Sequence, residues 1–200
     1  MAQQIIGAIE ALLAASLSDQ NLRVDVQIAS VAVWDTVGSM GIPTYVKGAR
    51  ADVFRFVDTA LSPKVERGFH AMAVDELRAD FPVTKWNDRV GITQTWFVGA
   101  HADVGGGYPP SESRLSDLTL DWMMARLGEI GVMFSGSPAY RPDFSTAQTQ
   151  PIHTPWTVSP FDHLGRTPRT AALSDDFHPS VRARWDADAS YRPQALLAIW

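Results

Sequence analysis

The sequence predicts an α/β domain built on a parallel sheet, and two segments carry that prediction. The apolar run over residues 26–34 ends in Asp35, and a second run over residues 94–100 ends in His101. Apolar runs of this length are typical of buried strands. Because the carboxyl ends of parallel strands meet at one edge of the sheet, where α/β folds bind their ligands, we expect Asp35 and His101 to lie side by side there.

Three helices are predicted around these strands. Residues 5–16 favour an amphipathic helix, because the apolar positions 5, 6, 9, 12 and 13 share one helical face. Residues 62–72 favour a second helix, with Pro63 in its first turn after a serine cap. A third helix is predicted from a cap at Ser116 to about Gly128.

The N-terminal apolar segment does not have the pattern of a secretory signal. No Lys or Arg precedes it and Glu10 interrupts it, so we predict no signal peptide. No run of 18 or more apolar residues occurs in the 200-residue sequence, so no transmembrane span is predicted.

Composition and length favour one globular domain over residues 1–200. The chain is 46% hydrophobic and 20% charged, enough for one sizeable core. We expect residues 1–134 to form the sheet-and-helix core and residues 135–200, rich in Pro, Ser, Thr and aromatic residues, to dock on it as a loop-rich segment. The aromatic residues that favour docking are Trp156, Phe161 and Trp185.

Charge and cysteine content exclude several classes of partner. The formal net charge of -5 gives no electrostatic reason to expect nucleic acid or an anionic membrane surface. The absence of cysteine excludes disulfides and cysteine-ligated metal centres, and it leaves the compartment open. We predict no cofactor.

The candidate active-site residues follow the two apolar runs. Asp35 and His101 are the residue types of a general acid–base pair. Asp103 has three open roles: to orient His101, to cap the following loop, or to bind a ligand itself. The supporting loop after it contains Gly105, Gly106 and Gly107.

Other charged and titratable residues are interpreted as structural. In the run from Asp75 to Arg78, we expect a carboxylate paired with Arg78 to hold a loop near the active edge, because adjacent carboxylates do not share one direction. The three histidines of the C-terminal segment are expected to be surface or capping residues: His153, His163 and His178.

Several ordered blocks of the sequence resemble a known family. The blocks are residues 33–39, 70–82 and 96–108, with further similarity over 115–123 and 178–193. They resemble the α/β-hydrolase domains of the DUF2235 group, which includes type VI secretion phospholipase effectors of the Tle1 class. Several blocks in one order are more specific than a single motif.

The resemblance implies a partial α/β-hydrolase-like fold, with a parallel sheet flanked by helices but without the early strands and the nucleophile elbow. It implies that Asp35 is the triad acid and His101 the triad base, and that the substrate is a phospholipid or another lipid ester.

The serine elbow of the family lies upstream of the aspartate block, and no G-x-S-x-G motif occurs in this sequence. We therefore expect the isolated chain to be inactive, and to pair with an upstream half-domain or self-associate. The resemblance also suggests a bacterial cytoplasmic origin with type VI secretion.

Two alternatives remain open from the sequence. His101, Asp103 and Asp35 could form a metal site for a metal-dependent hydrolase, which their spacing permits. The chain could also be a non-catalytic truncated module that binds a partner through an open sheet edge.

Overall fold

A computed structural model describes residues 26–37, 60–136 and 144–200 of the protein. The helix predicted over residues 5–16 lies outside the described residues. The strands are β1 (Ile28–Trp34), β2 (Val65–Ala73), β3 (Ile92–Phe97) and β4 (Asp176–Phe177). The helices are α1 (His101–Gly105), α2 (Arg114–Glu129), α3 (Phe144–Thr149) and α4 (Pro179–Ala187), and short 3-10 turns cover Pro155–Thr157 and Gln194–Leu196.

The four strands form one parallel sheet whose spatial order follows the chain order, β1-β2-β3-β4. In the register, Val33 of β1 lies opposite His70 of β2, and Trp96 of β3 lies opposite Phe177 of β4. The predicted α/β class, a partial fold with a parallel sheet and flanking helices, is therefore confirmed. The two apolar runs of the sequence become β1 and β3.

The helix predicted over residues 62–72 is wrong, because this segment contains strand β2. Its Lys, Glu, Ala and Met residues favour a helix locally. In the fold, however, β2 lies between β1 and β3, and its second half is buried on both faces, which is the usual environment of a parallel strand. Close strand packing also explains Gly68, since a Cβ there would lie 2.6 Å from Cδ1 of Ile92.

Alternate side chains of β2 and β3 supply two hydrophobic clusters, one on each face of the sheet. One cluster contains Phe69, Ala71, Ala73, Phe97, Val104 and Met123, and Trp122 and Leu127 of α2 pack against it. The other contains Met72, Val74, Trp96, Val98, Leu115, Leu118, Ala147, Val181, Trp185, Tyr191, Ala195 and Leu196. The predicted third helix is present as α2, but its N-cap residue is Ser113 and not Ser116.

The C-terminal segment contains more regular structure than its composition indicated. It supplies strand β4, helices α3 and α4 and both 3-10 turns. Trp156 and Trp185 are buried, and Phe161 is half-buried. Among the helices of the described residues, none is both long and apolar enough to cross a membrane.

Candidate active site

The carboxyl ends of three neighbouring strands bring titratable side chains to one edge of the sheet. Asp35 follows β1, Glu76 lies just beyond β2, and His101 lies beyond β3. Nδ1 of His101 lies 2.8 Å from Oδ2 of Asp35, within hydrogen-bonding distance. The carboxylate is fully buried, whereas the histidine side chain is 31% exposed. The structure thus brings together the two residues that the sequence placed at this edge.

Asp35 is held by hydrogen bonds to both of its oxygens. The backbone N–H of Ala73 donates to Oδ1 at 2.8 Å, and Nη2 of Arg169 donates to Oδ2 at 2.8 Å. The backbone of Asp35 has a φ of 39°, in the left-handed region that aspartate adopts more readily than most residues. These contacts fix the position of the carboxylate before any substrate binds.

Arg169 is a site residue that the sequence analysis missed. Its side chain is 4% exposed, and it is separated from Asp35 by 134 residues in the chain. Burial lowers the pKa of Arg169, while the neighbouring Asp35 opposes that change. Because an arginine keeps its proton under protein conditions, the pair is a buried guanidinium–carboxylate ion pair.

His70 holds the turn that follows Asp35. Its Nε2 accepts a hydrogen bond from the backbone N–H of Thr36 at 3.1 Å. Burial lowers the pKa of His70 to about 4, against an opposing effect of Asp35. The imidazole is therefore neutral at neutral pH, which it must be in order to accept this hydrogen bond.

The backbone of His101 is anchored to β2 through Glu76. The N–H of His101 donates to Oε2 of Glu76 at 3.1 Å, and Arg78 donates to both oxygens of the same carboxylate at 2.9 Å. The ring of Phe81 packs edge-on against the imidazole, with the ring centroids 5.3 Å apart. These contacts match the expectation that a carboxylate paired with Arg78 holds a loop near this edge.

Asp75, the residue before Glu76, accepts hydrogen bonds at the same edge. The N–H of Gly99 and the hydroxyl of Tyr191 both donate to its Oδ2, at 2.7 and 3.0 Å. Burial raises the pKa of Asp75 to about 7, and the two hydrogen bonds only partly oppose that rise. Asp75 thus connects the turn before His101 to the C-terminal segment.

Asp103 lies near His101 in the chain but bonds to a different histidine. Oδ2 of Asp103 accepts from the N–H of Ala100 at 2.9 Å, and Oδ1 lies 2.6 Å from Nδ1 of His153. Asp103 thus bonds to the N-terminal end of α1 and to His153, which is neither the predicted cap of the following glycine loop nor a contact that orients His101, and the ion pair with His153 was not predicted.

His153 lies between two carboxylates. Its Nε2 is 3.1 Å from Oε2 of Glu112, and its ring stacks on Tyr108 with centroids 3.6 Å apart. Burial alone would lower the pKa of His153, but the hydrogen bonds to Asp103 and Glu112 outweigh it and raise the pKa. The interpretation of His153 as a plain surface or capping residue misses this cluster.

The other two C-terminal histidines lie where the sequence placed them. His163 is exposed, and His178 is the N-cap of α4, where its Nδ1 accepts from the N–H of Ser180 at 3.4 Å. Of the three predicted loop glycines, Gly105 is the last residue of α1, and Gly106 and Gly107 follow it with positive φ angles of 84° and 122°.

The predicted metal alternative requires Asp103 to turn towards His101 and Asp35. Its two oxygens instead contact Ala100 and His153. Within residues 26–37, 60–136 and 144–200, no group of three or more His, Cys, Asp or Glu side chains is arranged to hold a metal ion.

A parallel sheet flanked by helices, with a histidine–carboxylate pair at its carboxyl edge, defines a protein of the α/β class. A family model described as "T6SS, Phospholipase effector Tle1-like, catalytic domain" matches residues 10–126. This is more than half of the chain, and the chain belongs to that family. The membership supports a lipase- or phospholipase-like function, and the matched residues include Asp35 and His101.

One relative is similar over a shorter stretch. The uncharacterized protein YEL023C of Saccharomyces cerevisiae is 43% identical over 61 residues, which is 29% of this chain and 9% of the yeast protein. The chain therefore corresponds to a small part of that relative. No solved structure matches the chain significantly.

Proposed function

We propose that the chain supplies the acid and the base of a serine hydrolase that cleaves lipid esters, with Asp35 as the acid and His101 as the base. The observation that carries the proposal is the 2.8 Å contact between Nδ1 of His101 and Oδ2 of Asp35 at the carboxyl edge of the sheet. Membership of the phospholipase effector family supplies the substrate class.

In the proposed reaction, Nε2 of His101 lies on the far side of the ring from Asp35 and accepts the proton of a serine hydroxyl. The serine oxygen forms a bond to the ester carbonyl carbon, and Asp35 stabilises the resulting imidazolium. His101 then returns the proton to the leaving alcohol as the carbon–oxygen ester bond breaks. Water repeats the sequence to release the fatty acid and free the serine.

The serine is proposed to come from a segment not contained in these 200 residues, since the sequence has no G-x-S-x-G motif. The sheet formed by the described residues has an edge at which such a segment could pair. Among the described residues, β1 pairs on one side only, with β2, and Val26 and Ile28 at its start are exposed. Further parallel strands on β1 would cover this edge and bring an elbow close to Asp35.

The test is co-expression of the chain with an upstream segment of a related domain that carries the elbow, followed by a lipid-ester assay. We expect the complex to hydrolyse the ester, and His101→Ala and Asp35→Ala each to abolish that hydrolysis. His163→Ala is the matched control, because His163 is exposed and outside the site. A well-folded complex in which His101→Ala stays fully active would overturn the proposal.

A second measurement uses the chain alone. We expect no hydrolysis of short activated esters above background, because the pair has no serine nucleophile to activate and no oxyanion hole beside it in this chain. Turnover blocked by a serine-directed phosphonate that labels a serine of this chain would contradict the proposal. Ser39 is the first serine to examine, since it lies four positions after Asp35 in the sequence, outside the described residues.

A further inference from the structure

A cavity of about 330 Å³ lies beside the histidine–carboxylate pair. Its lining includes three cationic side chains, Arg78, Lys85 and Arg169, and no carboxylate. Phe81, Thr167 and Pro168 are among the other residues of the wall. A pocket whose charged lining residues are all cationic is suited to an anionic group.

The cavity touches both members of the pair through its own lining residues. Arg169 donates through Nη2 to Oδ2 of Asp35 at 2.8 Å. Phe81 packs on the ring of His101, with the centroids 5.3 Å apart. A group bound in the cavity would therefore be one side chain away from the atoms that we propose to carry out the chemistry.

The cations of the cavity have donors left over after their existing ion pairs. Arg78 pairs with Glu76, and Lys85 pairs with Asp175 while its side chain remains 36% exposed. Nε and Nη1 of Arg169 are buried and have no hydrogen-bond partner in the part of the chain that the structure describes. Buried donors without an acceptor are unfavourable, so an anion that reached them would be stabilised.

We propose that this cavity binds the phosphate group of a phospholipid substrate, with Arg169 and Lys85 as its principal donors. The inference rests on the proposed function for the identity of the substrate. Nε and Nη1 of Arg169 point to different sides of the guanidinium, so Arg169 can donate one N–H from either nitrogen to a phosphate while Nη2 stays on Asp35, and Lys85 can donate a second. The site would then select phospholipids over uncharged glycerides, because the latter have no group to pair with the cations.

Binding of short-chain lipids to the full 200-residue chain tests the assignment without any turnover. The probes are dihexanoyl phosphatidylglycerol, dihexanoylglycerol and inorganic phosphate, titrated calorimetrically at constant ionic strength and below micelle formation. We expect the phospholipid to bind at least about tenfold more tightly than the uncharged glyceride, as charge-assisted hydrogen bonds require. Because this readout needs no serine, loss of hydrolysis and loss of binding remain separate outcomes.

Three variants locate the binding. Arg169→Gln and Lys85→Gln should each reduce the preference for the phospholipid by about threefold or more. Arg182→Gln removes the same charge from an exposed ion pair on α4 and should leave the preference unchanged. Lys85→Gln keeps the test decisive if Arg169→Gln fails to fold, since Lys85 does not contact Asp35.

Two results would overturn the proposal. One is equal affinity for the two lipids, or a preference that survives in every folded cavity variant. The other is saturable binding of inorganic phosphate, lost in Lys85→Gln, without any preference between the lipids, which would assign the cavity to free phosphate.

Discussion

Asp35–His101 and Asp103–His153 are two histidine–carboxylate pairs with opposite surroundings. Both carboxylates accept from backbone N–H groups, but only Asp35 also has a cationic partner besides the histidine, the guanidinium of Arg169. In the second pair the imidazole has an additional partner, since its other nitrogen reaches Glu112. His101 and Asp103 are only two positions apart in the sequence, yet they belong to different pairs.

This difference separates the roles of two otherwise similar contacts. An imidazole between two carboxylates is stabilised as a cation, as the raised pKa of His153 indicates. A general base must instead take up a proton and give it back near the working pH. An imidazole ring that contacts one carboxylate, as the ring of His101 does, suits that task better than a ring held between two, so the number of carboxylates at each ring distinguishes a candidate base from a structural ion pair.

The largest expected difference between the pairs is in hydrolysis by the complemented enzyme. Asp35→Asn should lower kcat by about 10³- to 10⁴-fold, because the amide no longer holds the imidazole in the tautomer that accepts the serine proton. Asp103→Asn should retain activity within about tenfold, since Asp103 does not contact His101 and a loss of this size reflects only a displaced loop. Steady-state kinetics on one phospholipid checks both. Equal losses of kcat in Asp35→Asn and Asp103→Asn would contradict the proposed difference between the two pairs.

The next largest effect is on stability. Asp35→Ala should lower the free energy of unfolding by about 3–5 kcal/mol, because Arg169 is left as a buried charge without its partner. Urea unfolding of the isolated chain measures this loss. The double variant Asp35→Ala/Arg169→Met is the control and should recover part of the stability. A double variant no more stable than Asp35→Ala would mean that the ion pair is not the source of the loss.

The first pair was predictable from the sequence and the second was not, for a physical reason. Asp35 and His101 each follow a long apolar run, and the strand-end rule for parallel sheets then places them at one edge. His153 and Arg169 lie in a segment without periodicity, 50 and 134 residues from their carboxylate partners. No local sequence pattern predicts contacts over that separation, because these residues meet their partners only in the tertiary structure.

Strand β2 shows the same limit at the level of the fold. Lys64 before it and Glu66 and Arg67 in its first half are compatible with a helix, and a proline after a serine, as at Pro63, is typical of a helix start. The burial of β2 between two neighbouring strands decides its conformation, and that burial depends on residues far away in the chain. The fold class was still predictable, because β1 and β3 carried enough of the pattern.

Gly99 lies two residues before His101 and packs against Asp103, and its replacement should have an intermediate effect. Gly99 has a φ of 118°, and a Cβ there would lie 2.4 Å from Cβ of Asp103. Gly99→Ala should therefore lower the free energy of unfolding by about 2–4 kcal/mol through backbone strain and overlap. Gly107→Ala is a matched control with a φ of 122° and open space around the Cβ, and it should cost about 1 kcal/mol. Equal losses in urea unfolding would show that the contact with Asp103 is unimportant.

The smallest expected effect is the pH dependence of the second pair. Because the pKa of His153 is raised in the folded protein, its ion pairs stabilise the fold fully below the ordinary histidine pKa of about 6.5, and this contribution is lost as the pH rises through the folded pKa. The groups that face His153 are Asp103, Glu112 and Tyr108. At pH 5.5 the wild type should exceed His153→Gln in free energy of unfolding by about 1 kcal/mol at most, since solvent screens a partly exposed pair.

At pH 8.5 that difference between wild type and His153→Gln should shrink towards zero. The comparison with the variant is needed because His70 and His178, whose pKa values burial lowers to about 4, make the whole protein lose stability as the pH falls below about 6.5. Both histidines are present in both proteins, so their effect cancels in the difference. A difference that grew with rising pH would mean that His153 is held as a neutral ring, and the contrast between the two pairs would have to be abandoned.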